Sequence, residues 1–243
     1  MRIPRIHHPA QLSSGARIEL SDTAASHVAR VLRLPVGAPL ILFNGSGGEF
    51  AATLASIDKR RVLVEVGSFL DQECEPPLQI WLAQGVSRGE RMDYTIQKAV
   101  ELGVSRIIPL FTEHCGVQLQ GERLEKRVKH WQGVVVSACE QCGRNRIPPV
   151  DTPATLTQWL AMPGEGLRLV LAPDAEYSLA QLPAPSGPIT LLIGPEGGLS
   201  DQEIASAKQA AYTGLRLGPR ILRTETAAVA ALAAMLGTWG DFR

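Results

Sequence analysis

Two glycine-bearing segments near the C-terminus constrain this chain more than any other feature. One, Leu191–Leu199, contains Gly194-Pro-Glu-Gly-Gly198; the other, Leu217–Thr226, reads Leu-Gly-Pro-Arg-Ile-Leu-Arg-Thr-Glu-Thr. Each sets glycine and proline just after a short β-type apolar run and just before a helical stretch. Backbone amides and a helix N-terminus can hold a polar ligand at such a place. The first lacks the Lys-Ser/Thr that ends a phosphate-binding P-loop, and neither reads Gly-x-Gly-x-x-Gly, so the common nucleotide fingerprints do not fit.

The segments close a longer alternation. Beyond residue 77 the pattern predicts strands at Leu78–Val86, Arg106–Phe111, Leu167–Leu171, Ile189–Ile193 and Gly214–Leu217. Helices are predicted at Glu90–Leu102 and Glu122–Cys142, after the capping box that starts at Ser200, and from about Thr226 to the end. Strands that alternate with helices imply an α/β domain with a mostly parallel sheet. The last helix carries Ala227, Ala228, Val229, Ala230, Ala231, Leu232, Ala233, Ala234, Met235 and Leu236, apolar nearly all round, which implies burial on more than one side and suits a subunit interface.

The first seventy residues read differently. Short strands are predicted at Arg17–Leu20, Leu40–Phe43, Glu49–Ile57 and Arg61–Val66, with Asn44-Gly45 and Gly47-Gly48 as hairpin chemistry and one helix over Ser21–Leu34. A small β-barrel with one helix is expected, joined by the acidic, proline-containing Asp71–Pro77 linker. The domain division is therefore 1–72 and 77–243.

Composition narrows the function. Twenty-four basic and twenty-four acidic side chains cancel, which argues against a protein that coats nucleic acid. Yet residues 1–33 hold five arginines against two acids, and residues 121–146 hold six basic side chains against three acids. No run approaches the roughly 18 apolar residues of a membrane span, and the start has no apolar signal core, so a cytoplasmic chain is expected. Cys139 and Cys142 form a lone Cys-x-x-Cys with no second ligand pair, so no metal site is expected. His7, His8, His27 and His130 show no metal-binding spacing either.

With these residues the chain resembles the RsmE family of SPOUT RNA methyltransferases. Gly194–Gly198 and Leu217–Thr226 match its cofactor motifs. Further matches are Met1-Arg-Ile-Pro-Arg5, Ser87-Arg-Gly-Glu90, Gln97-Lys98 with Glu101-Leu-Gly103, and Cys139-Glu-Gln-Cys-Gly-Arg-Asn-Arg146. The resemblance spans nearly the whole chain. It implies a PUA-like N-terminal β-barrel, a C-terminal SPOUT-type α/β domain with a trefoil knot, a homodimer, S-adenosylmethionine as methyl donor, and 3-methyluridine in small-subunit 16S rRNA as product.

In the implied fold, loops after three neighbouring strands wrap the donor. Leu171 and Ala172 come from the first, Gly194, Pro195, Gly197 and Gly198 from the second, and Leu217, Gly218, Ile221 and Leu222 from the third. Methylation of a uracil ring nitrogen requires loss of the imide proton. A fixed cation would stabilise the imidate, with Arg223 preferred, and a carboxylate would take the proton, with Glu225 and Glu196 as candidates. RNA contact falls to Arg2, Arg5, Arg30, Arg33, Arg144 and Arg146 in the basic islands, and to Arg88 by sequence match. Aromatic content of 5% favours phosphate contacts over base stacking. His114 stands where the family commonly has arginine before Cys-Gly-Val. A SPOUT enzyme acting on a ribose 2'-hydroxyl or another base, and a non-catalytic RNA-binding module, are the competing readings.

Overall fold

The computed structural model describes residues 3–58, 61–117 and 119–242. The chain divides into two compact units, one of residues up to Glu75 together with Cys139–Ile147, the other of Pro76–Ala138 and Pro148 onward. The sequence reading had kept Cys139–Ile147 with the second domain.

In the first unit, β1 (Arg5–His7), β2 (Arg17–Glu19), β3 (Pro39–Phe43), β4 (Glu49–Ile57) and β5 (Val62–Leu70) make one sheet in the order β1-β3-β4-β5-β2. β1 pairs parallel to β3 and the other pairs are antiparallel. Alternation decides which face is covered: Val62, Val64 and Val66 point inward while Glu65 points out. They pack with Ile6, Leu40, Leu42, Leu54 and Val28. The Ser21 hydroxyl accepts from Ala24 N–H and starts helix α1 (Asp22–Ser26), which widens into a π-helical turn over His27–Val31. Arg33, at φ 52°, closes the helical segment shortly before the sequence expectation. β1 escaped the sequence reading because three residues flanked by prolines carry no periodic signal.

A polar knot of interactions fastens Cys139–Ile147 into this unit. Arg5 pairs with Glu49 and donates to Asn145 Oδ1. Asn145 Nδ2 donates to Gln72 O at 2.7 Å, and Arg144 Nε donates to both Glu75 oxygens at 3.1 Å. These charges are buried, but each is met by an opposite charge or a carbonyl, which is the condition for burying them.

The second unit holds six strands, β6 (Ile80–Gly85), β7 (Arg106–Phe111), β8 (Ala154–Thr155), β9 (Leu167–Leu171), β10 (Ile189–Ile193) and β11 (Thr213–Leu215), in the order β11-β9-β10-β6-β7-β8. Each pairing is parallel. All five residues of β10 are buried, as expected of a strand covered on both faces. Each such Leu or Ile contributes about 1.5–3 kcal/mol. The helices are α2 (Glu90–Glu101), α3 (Gly121–Cys142), α4 (Leu156–Leu160), α5 (Asp201–Gln209) and α6 (Thr224–Trp239). α2 buries Met92, Ile96, Ala99 and Val100 at helical spacing. α6 begins two residues earlier than its pattern suggested, buries Ala228, Ala231, Leu232, Met235 and Leu236, and packs on α2 and β10. The expected capping box is formed: Ser200 Oγ accepts from Glu203 N–H while Glu203 Oε2 accepts from Ser200 N–H. No helix among the described residues is long and apolar enough to cross a membrane.

Candidate functional site

The carboxyl ends of β9, β10 and β11 lie side by side, where open α/β sheets bind ligands. Their loops enclose a cavity of about 310 Å³ in the second unit, within the usual range for small-molecule sites. All ten residues assigned from sequence to cofactor binding line it: Leu171 and Ala172; Gly194, Pro195, Gly197 and Gly198; Leu217, Gly218, Ile221 and Leu222. Pro173, Leu199, Ile204 and Leu215 add apolar wall; Arg220 and Thr224 add polar groups that the sequence reading missed.

Glycine is required here for two separate reasons. A Cβ on Gly194 would lie 2.7 Å from Gly198 C and 2.8 Å from Leu199 N, so the loop could not fold back over itself. Gly198 and Gly218 have φ of 71° and 73°, the left-handed region that side chains disfavour. Apart from the adjoining residues, no described atom lies nearer than 3.7 Å to a Cβ built at either of these two positions. Apolar walls with backbone amides between them fit a flat heteroaromatic ring carrying a polar tail, the shape of an adenosyl cofactor.

The rim is tied by hydrogen bonds. Glu196 Oε1 accepts from the Arg88 backbone N–H at 2.9 Å and from the Arg91 guanidinium at 3.0 Å. Partial burial pushes the Glu196 carboxyl up, but these hydrogen bonds, its own backbone N–H and the Arg91 charge outweigh that and hold it below the ordinary value. The imidazole Nδ1 of His114 lies 3.0 Å from Gly197 O, and the Glu113 N–H donates to Glu203 Oε1 at 2.8 Å.

Of the three residues offered for catalysis, only Glu196 lines the cavity. A carboxylate engaged by three donors and lowered in proton affinity is poorly suited to be a base. Arg223 is the N-cap residue of α6: its carbonyl accepts from Ala227 N–H at 2.7 Å, and its side chain is exposed, with no hydrogen bond or ion pair to a described residue. Glu225 sits in the first turn of α6, and its Oε2 is buried without a hydrogen-bond partner among the described residues.

The arginines offered for RNA contact separate by exposure. Arg30, on the π-helical turn, and Arg33 are exposed, as is Arg88, whose guanidinium lies over Gly116. Arg146 is 58% exposed and 3.4 Å from Glu73. Arg5 and Arg144 require correction. Their side chains are only 8% and 4% exposed, and they are held by Glu49 and Glu75, so they build the fold of the first unit and do not face solvent. Sequence shows an arginine's charge but not the carboxylate that meets it. Arg2 lies outside the described residues. Among the described residues no group of three or more His, Cys, Asp or Glu could hold a metal ion. The four cysteines are free thiols.

Comparison with known proteins agrees with this layout. A family model for the RNA methyltransferase domain matches residues 74–236, and one for the RNA methyltransferase PUA domain matches residues 20–67. The ribosomal RNA small subunit methyltransferase E of Buchnera aphidicola is 37% identical over 99% of this chain and 98% of its own length; that of Bacillus subtilis is 28% identical over 93% and 91%. A methyltransferase from Legionella pneumophila, solved in complex with the bound cofactor SAM, is 42% identical with a TM-score of 0.97 over the whole of both chains. The ribosomal RNA small subunit methyltransferase E from Neisseria gonorrhoeae, bound to S-adenosyl methionine, is 41% identical with a TM-score of 0.93, again over the whole of both. The chain thus belongs to the RNA methyltransferase family and, within it, to the ribosomal RNA small subunit methyltransferase E family.

Proposed function

We propose that this protein transfers a methyl group from S-adenosylmethionine to N3 of a specific uridine in 16S rRNA. The observation that carries the reading is the glycine-lined cavity at the ends of β9, β10 and β11, together with two whole-length relatives solved with that cofactor.

When bound, the cofactor supplies an electrophilic methyl carbon next to a sulfonium. The protein's share is to hold the ring between Leu171, Leu217, Ile221 and Leu222, to meet the polar tail with backbone amides of the Gly194–Gly198 loop, and to prepare the uridine. N3 of uridine has no lone pair free until its proton leaves. Arg223 is the cation we assign to the uracil carbonyl oxygens, where its planar fork stabilises the imidate. The carboxylate assigned to take the N3 proton is Glu225, because Glu196 is already engaged by Arg88 and Arg91. The N3–carbon bond forms as the sulfur–carbon bond breaks, and the N3 proton ends on the base. Arg220 gives a second reading of the cation, since it lines the cavity itself.

The first domain, 1–72, is assigned to RNA binding as a PUA-like barrel, and the second, 77–243, to methyl transfer. Exposed Arg30, Arg33, Arg88 and Arg146 are the proposed phosphate contacts. A trefoil knot is proposed for the second domain, supported by the start of α6 lying against the Gly194 loop, where Thr224 Oγ1 donates to Gly194 O at 2.6 Å. A homodimer is proposed because Val229, Ala230, Ala233 and Ala234 of α6 remain only half-buried and neighbouring Ile221 is 86% exposed. A cytoplasmic location follows from a ribosomal substrate.

The test incubates purified protein with labelled cofactor and either naked 16S rRNA or small subunits from a strain lacking the enzyme, then maps the product by nuclease digestion and mass spectrometry. The expected product is 3-methyluridine; a ribose-methylated nucleotide would overturn the reading. Arg223→Ala should lower turnover about a hundredfold or more while the protein folds normally. If Arg220→Ala loses activity and Arg223→Ala does not, the cation is Arg220.

A further inference from the structure

Beneath the cavity, one fully buried amide joins three segments that sequence keeps far apart. Gln84, near the end of β6, is 0% exposed. Its Nε2 lies 2.9 Å from Thr224 Oγ1, 3.3 Å from Gly194 O and 3.1 Å from Gly85 O. Thr224 Oγ1 in turn donates to Gly194 O at 2.6 Å. Gly194 and Thr224 both line the cavity and each belongs to one of the two glycine segments, whereas Gln84 belongs to neither.

Proton bookkeeping fixes the direction of each bond. A threonine hydroxyl has one proton, and here it goes to the Gly194 carbonyl, so Thr224 offers Gln84 only lone pairs. Gly85 O and Gly194 O offer only lone pairs as well. Three acceptors therefore surround one end of the amide, and only its NH₂ can face them. A flipped amide would set Oε1 against three oxygens. Among the described residues Oε1 has no hydrogen-bond partner, so the amide's orientation is held by its donors.

The same place is sterically exact. A Cβ on Gly85 would lie 2.5 Å from Pro195 N and 2.8 Å from Gly194 C. The cofactor loop thus rests on the end of β6, and its height is set by backbone contact below and by the Gln84–Thr224 pair beside it.

We propose that Gln84 and Thr224 are positioning residues that latch the Gly194–Gly198 loop to the start of α6 and so hold the cofactor cavity in its binding shape. The latch touches no reacting atom. It acts by pinning Gly194 O, the point where the second glycine loop leaves its strand, to the first residue of the helix that follows the third loop. The inference rests on the reading of the cavity as an S-adenosylmethionine site.

The experiment measures S-adenosylmethionine affinity by calorimetry, thermal unfolding, and hydrogen exchange of peptides covering residues 194–198 in ligand-free protein, on whole-length variants. Thr224→Val keeps the shape but loses the hydroxyl; Thr224→Ser keeps the hydroxyl. Gln84→Met removes the donors, and Gln84→Glu keeps the size but, protonated by burial among acceptors, leaves one donor where the amide has two. Thr224→Val should weaken binding by about tenfold or more and speed exchange in the 194–198 peptides, with Thr224→Ser close to wild type. Gln84→Met, which fills the space with no donor, should bind more weakly than Gln84→Glu and speed exchange as Thr224→Val does. Should either Gln84 variant fail to fold, the Thr224 pair decides. If Thr224→Val binds and exchanges like wild type, or if Gln84→Met behaves like wild type, the latch is refuted. Failure of wild-type protein to bind the cofactor would instead refute the functional reading, while the exchange data would still judge the latch.

Discussion

Replacing Gly194 by alanine tests the geometry of the cavity directly. The new Cβ would stand 2.7 Å from Gly198 C, 2.8 Å from Leu199 N and 3.0 Å from Gly198 Cα. All three are backbone atoms, so no side chain can swing away. Ordinary contact needs close to 3.5 Å, and the loop must open by several tenths of an ångström. Overpacking of this kind costs about 1–3 kcal/mol. Taking about 2 kcal/mol, and about 2–4 °C per kcal/mol for a domain of this size, unfolding of the second unit should fall by roughly 4–8 °C. A loop that relaxes in the free protein must be pushed back to accept a ligand, so S-adenosylmethionine affinity should drop by up to about 30-fold. Gly133→Ala is the matched control. A Cβ there meets nothing within 4 Å, and the residue lies inside α3, so stability should hold or rise by about 0.5–1 kcal/mol with affinity unchanged. Differential scanning calorimetry and titration calorimetry read both quantities. A Gly194→Ala protein with wild-type melting and affinity within twofold would refute the claim that this glycine is demanded by loop closure.

Arg144→Ala should destabilise the first unit by about 3–5 kcal/mol in urea unfolding, since it strands Glu75, whereas Arg146→Ala should stay within about 0.5 kcal/mol. If the two variants unfold alike, the buried pairing of Arg144 does not carry the unit. Arg30→Ala and Arg33→Ala should each weaken binding of 16S rRNA fragments and lower the salt slope by about one; an unchanged slope would remove that side chain from the interface. Burial pushes the Cys139 thiol up to about 12, so it stays protonated at pH 8, and iodoacetamide should spare it while labelling exposed Cys74. Mass spectrometry showing Cys139 modified first in folded protein would contradict its burial.

How much was legible in sequence depended on the range of the interaction. β9, β10 and β7 were read to the residue, because short apolar runs bounded by glycine, proline or charge are local signals. Of the ten cavity residues, the eight in the two glycine loops sit in turns that glycine and proline mark locally; their assignment to one donor, and that of Leu171 and Ala172, followed from the family resemblance. β8 and α4 were missed, since two residues of strand and five of helix are specified by their neighbours and hardly by their own pattern. Arg5 and Arg144 were misread because a charge count over a window cannot see Glu49 and Glu75.

The sequence by itself determined that an N-terminal strand-rich part precedes an α/β part, that two glycine turns follow two strands of the latter, and that the chain resembles an RNA methyltransferase. Periodicity and turn chemistry act over a few residues and survive in a linear reading. Tertiary structure alone decided that Cys139–Ile147 joins the first unit and which arginines remain in solvent. It alone set Gln84 against Thr224, 140 positions away. Those outcomes depend on which groups meet once β10 lies between β9 and β6, and hydrogen-bond pairing across such separations leaves no mark on the local pattern.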